Sequence, residues 1–199
     1  SRSYASGRRI YTFRIEQQKF WLKFHEPNIH KGLEQAFQRE LEFYQENEKI
    51  HSNLLLPYQV VQFDQNTAFQ SIVDQGQGLI LLDVEPFFTD ISQLKSLEAI
   101  QQKIITALDR LNELHQLGWI HGDLKPDHFR QMDNACKLID FEQSFKRQSP
   151  ISEMNATPHY MAPELFHGQS KSVQSDLYTF GIILYEWMTQ TKLHANSYR

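Results

Sequence analysis

A chain of 199 residues, 40% apolar and 22% charged, is long enough for one sizeable core or two small lobes, and its composition makes a folded soluble domain the expectation rather than disorder. The formal net charge is −4 with no basic run, which leaves no electrostatic footprint for nucleic acid, and the single Cys136 excludes an intrachain disulfide framework or a multi-cysteine zinc site. The longest apolar runs, "GLILLDV" and "GIILYEWM", are too short to span a bilayer, and no signal peptide opens the chain. The expectation is therefore a cytoplasmic protein with Cys136 as a small buried hydrophobe; the missing initiator Met points to a processed or trimmed N-terminus.

The stretch "RRIYTFRIEQQKFWLKFHE" alternates and is rich in aromatic and β-branched residues. It predicts two strands, Ile10–Glu16 and Lys19–Phe24, joined at Gln17–Gln18. In "KGLEQAFQRELEFYQENEKI", Leu33, Phe37, Leu41 and Tyr44 recur at helical spacing and predict an amphipathic helix. "YQVVQFDQ" and "TAFQSIVDQ" read as a further hairpin and "GLILLDV" as a buried strand, with Pro86 punctuating the chain after it. A second amphipathic helix follows, with Leu97, Ile100, Ile104, Leu108, Leu111 and Leu114 on one face and Gly118 as its stop. "SDLYTFGIILYEWMTQ" is apolar nearly all round and predicts a deeply buried helix. The expected organisation is a strand-rich lobe with one helix over residues 1–85 and a mostly helical lobe over 86–199. The hinge falls near Asp83–Pro86, and clefts between lobes are common ligand sites.

Two aspartates follow short apolar stretches: Asp123 after "GWIHG" and Asp140 after "CKLI". Emerging at strand ends, such a pair can divide labour. One carboxylate accepts a hydroxyl proton while the other holds Mg²⁺ against phosphate oxygens. Lys23 ends an apolar strand, where an ammonium needs a partner, and Glu40 on the following helix can supply it.

The ordered set "WLKF", "QRELEFY", "HGDLKPDH", "IDFE", "ATPHYMAPE" and "SDLYTFGIILYEWMT" resembles the eukaryotic-type Ser/Thr protein kinase family, with a bacterial lean in "HGD". The resemblance spans about residues 10 to 190. It implies an α+β bilobal fold, with an antiparallel-sheet N-lobe carrying one helix and a mainly helical C-lobe. It also implies ATP and Mg²⁺, or Mn²⁺, as cofactors and a protein substrate. Carried over by motif, Lys23 grips the α- and β-phosphates and Glu40 is its helix partner, with Glu42 the alternative. Asp123 is the catalytic base. Lys125 steadies the γ-phosphate, Asp140 is the metal ligand, and Thr157 supports the catalytic loop and substrate pocket. Asp176 anchors the catalytic loop backbone, and Glu164 closes "APE". Leu81 guards the adenine pocket, and Leu82, Asp83 and Val84 supply backbone hydrogen bonds. His121 and Phe141 are packing residues.

Four departures stand against the family pattern. Only Gly7 in "SYASGRR" can serve the phosphate-covering loop, alone or with Ser6 and Arg8 as a shortened cover. His128 replaces the metal-binding asparagine; it either ligates the second metal, with a leaning to Mn²⁺ or Zn²⁺, or only caps the loop. Sugar kinases of the bacterial lipopolysaccharide core carry histidine in a similar place. Glu142 replaces the glycine after Asp140–Phe141, as in aminoglycoside and choline kinases; it adds a metal ligand or faces solvent or a lysine. Gly122 replaces the arginine of "HRD", so control by phosphorylation of the 140–164 loop is not expected, and Ser144, Ser149 and Ser152 read as loop polarity. The chain stops at Arg199, before the family's later helices and without an evident arginine for Glu164. That reads as a minimal kinase, an incomplete chain, or an apolar last helix covered by a partner or a second copy. Three functions remain open: a Ser/Thr protein kinase, a pseudokinase that binds nucleotide, and a small-molecule or sugar kinase. "ATPHYMAPE" argues against the last.

Overall fold

A computed structural model describes residues 6–48, 53–63, 76–148 and 157–193. The chain divides into two compact units, Ser1–Val84 and Glu85–Arg199. The fold is α+β. The "TAFQSIVDQ" segment, Ser149 and Ser152 lie outside the described residues.

In the first unit, β1 (Arg8–Ile15) and β2 (Gln18–His25) form a hairpin. β3 (Tyr58–Phe63) and β4 (Gly76–Leu82) complete an antiparallel sheet of order β1-β2-β4-β3. The connection between β1 and β2 falls at Glu16–Gln17, one residue earlier than expected, with Ile15 opposite Gln18. Glu16 adopts φ 55°, a left-handed conformation usually signalled by Gly, Asn or Asp, so its residue type gave no warning. This register sets Lys23 between Ile10 and Leu79.

Helix α1 (Lys31–Glu46) starts at His30, whose ring Nδ1 accepts the Leu33 N–H at 3.3 Å. It ends at Asn47, whose side-chain amide donates to the Phe43 carbonyl at 2.7 Å. Its buried face holds Phe37, Leu41 and Tyr44 as the spacing predicts, together with Ala36, Phe43 and Glu40; it packs on β2 and β3. The Tyr44 and Tyr58 rings meet at 4.5 Å, and Tyr58 donates its hydroxyl to the Tyr44 carbonyl, tying helix to sheet.

In the second unit, α2 (Leu97–Gln116) is capped by Ser96, which accepts the Ala99 N–H at 3.2 Å. Its buried residues are Ala107, Leu111, Leu114 and His115, whereas Leu97 and Leu108, expected on the apolar face, are exposed. The buried stripe is narrower than the apolar pattern because only the second half of the helix packs closely on β5 (Trp119–Ile120) and β7 (Ala135–Leu138). β5 pairs with β8 (Phe145–Lys146), and β6 (Phe129–Met132) pairs with β7. The two aspartates therefore follow strands of different two-stranded sheets rather than neighbouring strands of one.

The short α3 (Pro163–Phe166) and the long α4 (Val173–Thr189) complete the unit. α4 is not buried all round: Phe180, Ile182, Ile183 and Trp187 face the core, while Leu177, Tyr185 and Met188 are exposed. Trp187 donates its indole N–H to the Thr89 carbonyl at 2.6 Å, and the Phe88 ring sits among Phe129, Phe180 and Trp187. No helix among the described residues is long and apolar enough to cross a membrane.

Two outcomes follow from this packing. Ser172 and Ser175 form a reciprocal cap at the start of α4, each side chain accepting the other's backbone N–H. Ser172→Ala should lower unfolding free energy by about 1 kcal/mol in a urea titration. Cys136 is fully buried and its thiol is pushed up to about 12, chiefly by burial. It should resist iodoacetamide in the native protein at pH 8 and react in denaturant; rapid native labelling would contradict its placement.

Candidate active site

In the first unit, β2 and α1 bring Lys23 and Glu40 together: Nζ lies 2.7 Å from Oε2, with side chains 11% and 1% exposed. Glu40 faces inward because it shares a helical face with Phe37 and Tyr44. Two charges this deep are costly to desolvate, so the pair is weak as a stabiliser and strong as a device for aiming the ammonium. Glu42 is exposed, which removes it as the alternative partner.

Leu81 is buried in β4 opposite Trp21 and Tyr58. Beyond it, the Leu82 N–H donates to the Pro57 carbonyl at 3.3 Å and the Asp83 N–H to the Lys19 carbonyl at 2.9 Å. The Asp83 carboxylate pairs with Lys19 at 2.6 Å. Gly7, at φ 78°, accepts the Glu26 N–H at 2.8 Å. A Cβ there would lie 2.7 Å from the His25 ring and 3.1 Å from Ile29, so the turn itself requires glycine.

In the second unit, residues 121–128 gather most of the remaining groups. Asp123 accepts the Thr157 N–H on Oδ1 at 2.8 Å and pairs with Lys125 through Oδ2 at 2.9 Å. A carboxylate offers about four lone-pair sites, so these contacts fix its orientation and leave others for a ligand proton.

His128 Nε2 lies 3.2 Å from Asp140 Oδ2. Asp140 adopts φ 66°, in the left-handed region that aspartate visits more readily than most non-glycine residues. Glu142 is buried, so it does not face solvent.

Asp176, on the first turn of α4 and 2% exposed, anchors this loop. Its Oδ2 accepts the His121 N–H at 2.8 Å and faces His115 Nε2 at 2.9 Å; its Oδ1 accepts the Gly122 N–H at 3.0 Å. His121 then links the two aspartate segments: Nε2 lies 3.2 Å from the Ile139 carbonyl and Nδ1 accepts the Asp123 N–H at 3.4 Å. Burial, then the neighbouring His128, lowers its pKa to about 4, so the ring is neutral and these partners set its Nε2–H tautomer.

Ser144, read from sequence as loop polarity, is buried and donates to the His121 carbonyl at 3.1 Å. His115 and Ser144 escape sequence reading because their partners are distant along the chain. The one local signal for His115 is a polar residue on the buried face of α2.

The segment beginning at Thr157 is held by α4 as well. Thr179 donates to the Tyr160 carbonyl at 2.8 Å, the Tyr160 hydroxyl donates to Glu186 at 2.9 Å, and His159 bonds the other Glu186 oxygen. Burial works to raise Glu186, but its bonds from His159, Tyr160 and the Leu193 N–H outweigh it and hold the carboxyl below its ordinary pKa. Burial, then Glu186, pushes the Tyr160 phenol up.

A family model described as the protein kinase domain matches residues 11–199. Among similar proteins, serine/threonine-protein kinase ppk34 of Schizosaccharomyces pombe is 28% identical over 143 residues, covering 68% of this chain and 39% of that protein. The cGMP-dependent protein kinase of Toxoplasma gondii is 38% identical over 76 residues, covering 38% of this chain and 8% of its own length. Serine/threonine-protein kinase RUNKEL of Arabidopsis thaliana is 42% identical over 85 residues, covering 40% of this chain and 6% of its own. The chain thus spans less than half the length of each of these relatives. The matched family region takes in both Lys23–Glu40 and the Asp176-anchored loop, and the chain belongs to the protein kinase domain family.

Proposed function

We propose that this domain catalyses ATP-dependent phosphoryl transfer to serine or threonine hydroxyls of a protein substrate. The observation that carries the reading is Asp123: a carboxylate oriented by a backbone N–H and an ammonium, with acceptor capacity left for a substrate hydroxyl. Lys125 and the similarity to serine/threonine-protein kinases ppk34 and RUNKEL support serine and threonine over tyrosine. We place this enzyme in the cytoplasm.

The residues fit the implied cofactors. Asp140 and His128 would hold the divalent cation: their facing O and N atoms, 3.2 Å apart, have the spacing of about 3 Å expected for adjacent ligands on one small cation. Lys23, aimed by Glu40, would meet the α- and β-phosphates. Leu81 would close the adenine pocket. The Leu82 and Asp83 amides are already committed, so hydrogen bonds from the 82–84 stretch to the base come from its other groups.

ATP would supply the phosphoryl group, and a cation held by Asp140 and His128 would screen its phosphate charge. Asp123 accepts the hydroxyl proton as the oxygen bonds to the γ-phosphorus and the bond to the departing ADP breaks. The Thr157 N–H keeps its carboxylate from rotating, and Lys125 places positive charge beside the transferring oxygens. The segment Thr157–Tyr160 presents the substrate hydroxyl from its anchorage on α4. Binding without transfer is the second reading. Gly7 favours it, because the turn accounts for this glycine without any phosphate.

A phosphotransfer assay on a generic basic protein, with Mg²⁺ and Mn²⁺ in parallel, separates the readings. Asp123→Ala should lower kcat by about 10²–10⁴-fold and keep the nucleotide-dependent rise in Tm. A wild type that gains Tm with nucleotide yet transfers nothing would establish binding alone. His128→Asn should move the metal preference toward Mg²⁺. An unchanged Mg²⁺/Mn²⁺ ratio in that variant would remove His128 from the metal site.

A further inference from the structure

A cleft of about 580 Å³ lies between α2 and α4 in the second unit, and neither Asp123 nor Asp140 lines it. Leu108 and His115, seven residues apart on α2, reach it from one helix face together with Asp109. Val173 and Leu177, one turn apart, line it from α4, and Arg147 lines it from just beyond β8. Its volume is that of a small-molecule site. Leu108 is 38% exposed and Leu177 43%, so the walls hold apolar surface that an occupant would remove from water.

Asp109 and Arg147 carry opposite charges on this lining, yet neither belongs to an ion pair among the described residues. Arg147 gives one guanidinium N–H to the His115 carbonyl at 3.2 Å, which fixes its head beside the cleft and leaves other donors free. A simple anion here would meet the Asp109 carboxylate, and a simple cation would meet the guanidinium. A molecule with both charges on an apolar body suits all three features. The His115 ring also faces Asp176, through Nε2 at 2.9 Å. A carboxylate only accepts, so that nitrogen carries a proton. Nδ1, which has no hydrogen-bond partner among the described residues, is left for the cleft.

We propose that this cleft binds a small zwitterion with an apolar body, of the class of free apolar α-amino acids. Arg147 takes its carboxylate, Asp109 its ammonium, and Leu108, Val173 and Leu177 its side chain. The occupant rests on His115, and His115 rests on Asp176, whose other bonds hold the His121 and Gly122 amides. Occupancy therefore stiffens the peptide that leads into Asp123, which makes the site regulatory rather than catalytic. The site stands whether or not the domain transfers phosphate.

The probes are L-leucine and L-phenylalanine, titrated through the millimolar range by calorimetry and Tm. At least one should bind saturably and raise Tm. Glycine, which has both charges and no apolar body, should not bind. Leucinamide lacks the carboxylate and isocaproate lacks the ammonium, so each should bind about tenfold more weakly than leucine or worse. Arg147→Gln and Asp109→Asn should each raise Kd about tenfold. Leu177→Trp, which fills the cleft from an exposed position, should abolish binding and keep the fold. At about ten times Kd, the His121 and Gly122 amides should exchange about tenfold more slowly. Absence of saturable binding by both amino acids overturns the proposal. So does binding of leucinamide and isocaproate as tight as that of leucine, or binding that survives Leu177→Trp. Binding with unchanged exchange at 121–122 overturns the link through His115 to Asp176. If Arg147→Gln does not fold, Leu177→Trp and the two analogues decide.

Discussion

The Asp176 carboxylate is the constraint on which the second unit depends. A charge buried this deeply is tolerable only if its oxygens are filled, and two backbone amides and one imidazole fill them. Those partners belong to α2 and to the 121–122 peptide, while the carboxylate belongs to α4. One group thus joins two helices to the residue that precedes Asp123. The N-terminal turn of α4 adds its own favourable field for a negative charge. His121 passes the constraint onward, because its ring touches both the Asp123 amide and the Ile139 carbonyl next to Asp140. The two aspartates are held in relation by a neutral histidine.

Much of this was legible in the sequence where the signal is local or where ordered motifs carry it. The spacing of Phe37, Leu41 and Tyr44 finds α1, and the alternation in "FWLKF" finds β2. The parts that escaped have non-local causes. His115 meets Asp176 across 61 positions, and its one local signal is a polar residue on the buried face of α2. Ser144 looks like loop polarity until the fold buries it, and the fold likewise removes the solvent-facing alternative for Glu142. Leu97 fits the apolar face of α2 on a helical wheel, yet it lies where the helix has left the core. Glu16 takes a left-handed turn conformation that its residue type disfavours, so the hairpin register could not be fixed from composition.

The Lys23–Glu40 pair illustrates a different limit. Glu40 stands on the apolar face of α1, where a pattern reading alone would count a carboxylate as an error. The pair gives little net stability, since desolvation offsets most of the attraction. What it provides is direction: a lysine with four rotatable bonds is held in one place before any ligand arrives. On the proposed function, local rules fail here for the sake of the site.

α4 shows the same logic along its length. Its sequence looks like a helix meant only for burial, but Asp176, Thr179 and Glu186 fall three and seven residues apart and so share one face. Asp176 holds the turn that carries Asp123, while Thr179 and Glu186 hold the segment that follows Thr157. Thr157 in turn donates to Asp123. The proposed base and the segment proposed to present its substrate are therefore referenced to one rigid rod, and Thr157 closes the triangle between them. Relative position within this half of the site then depends on helix geometry rather than on loop conformation. A hydrophobic helix with three polar residues on one face serves that purpose better than an amphipathic one, because its remaining core-facing apolar residues, Phe180, Ile183 and Trp187, keep the rod from shifting in the core.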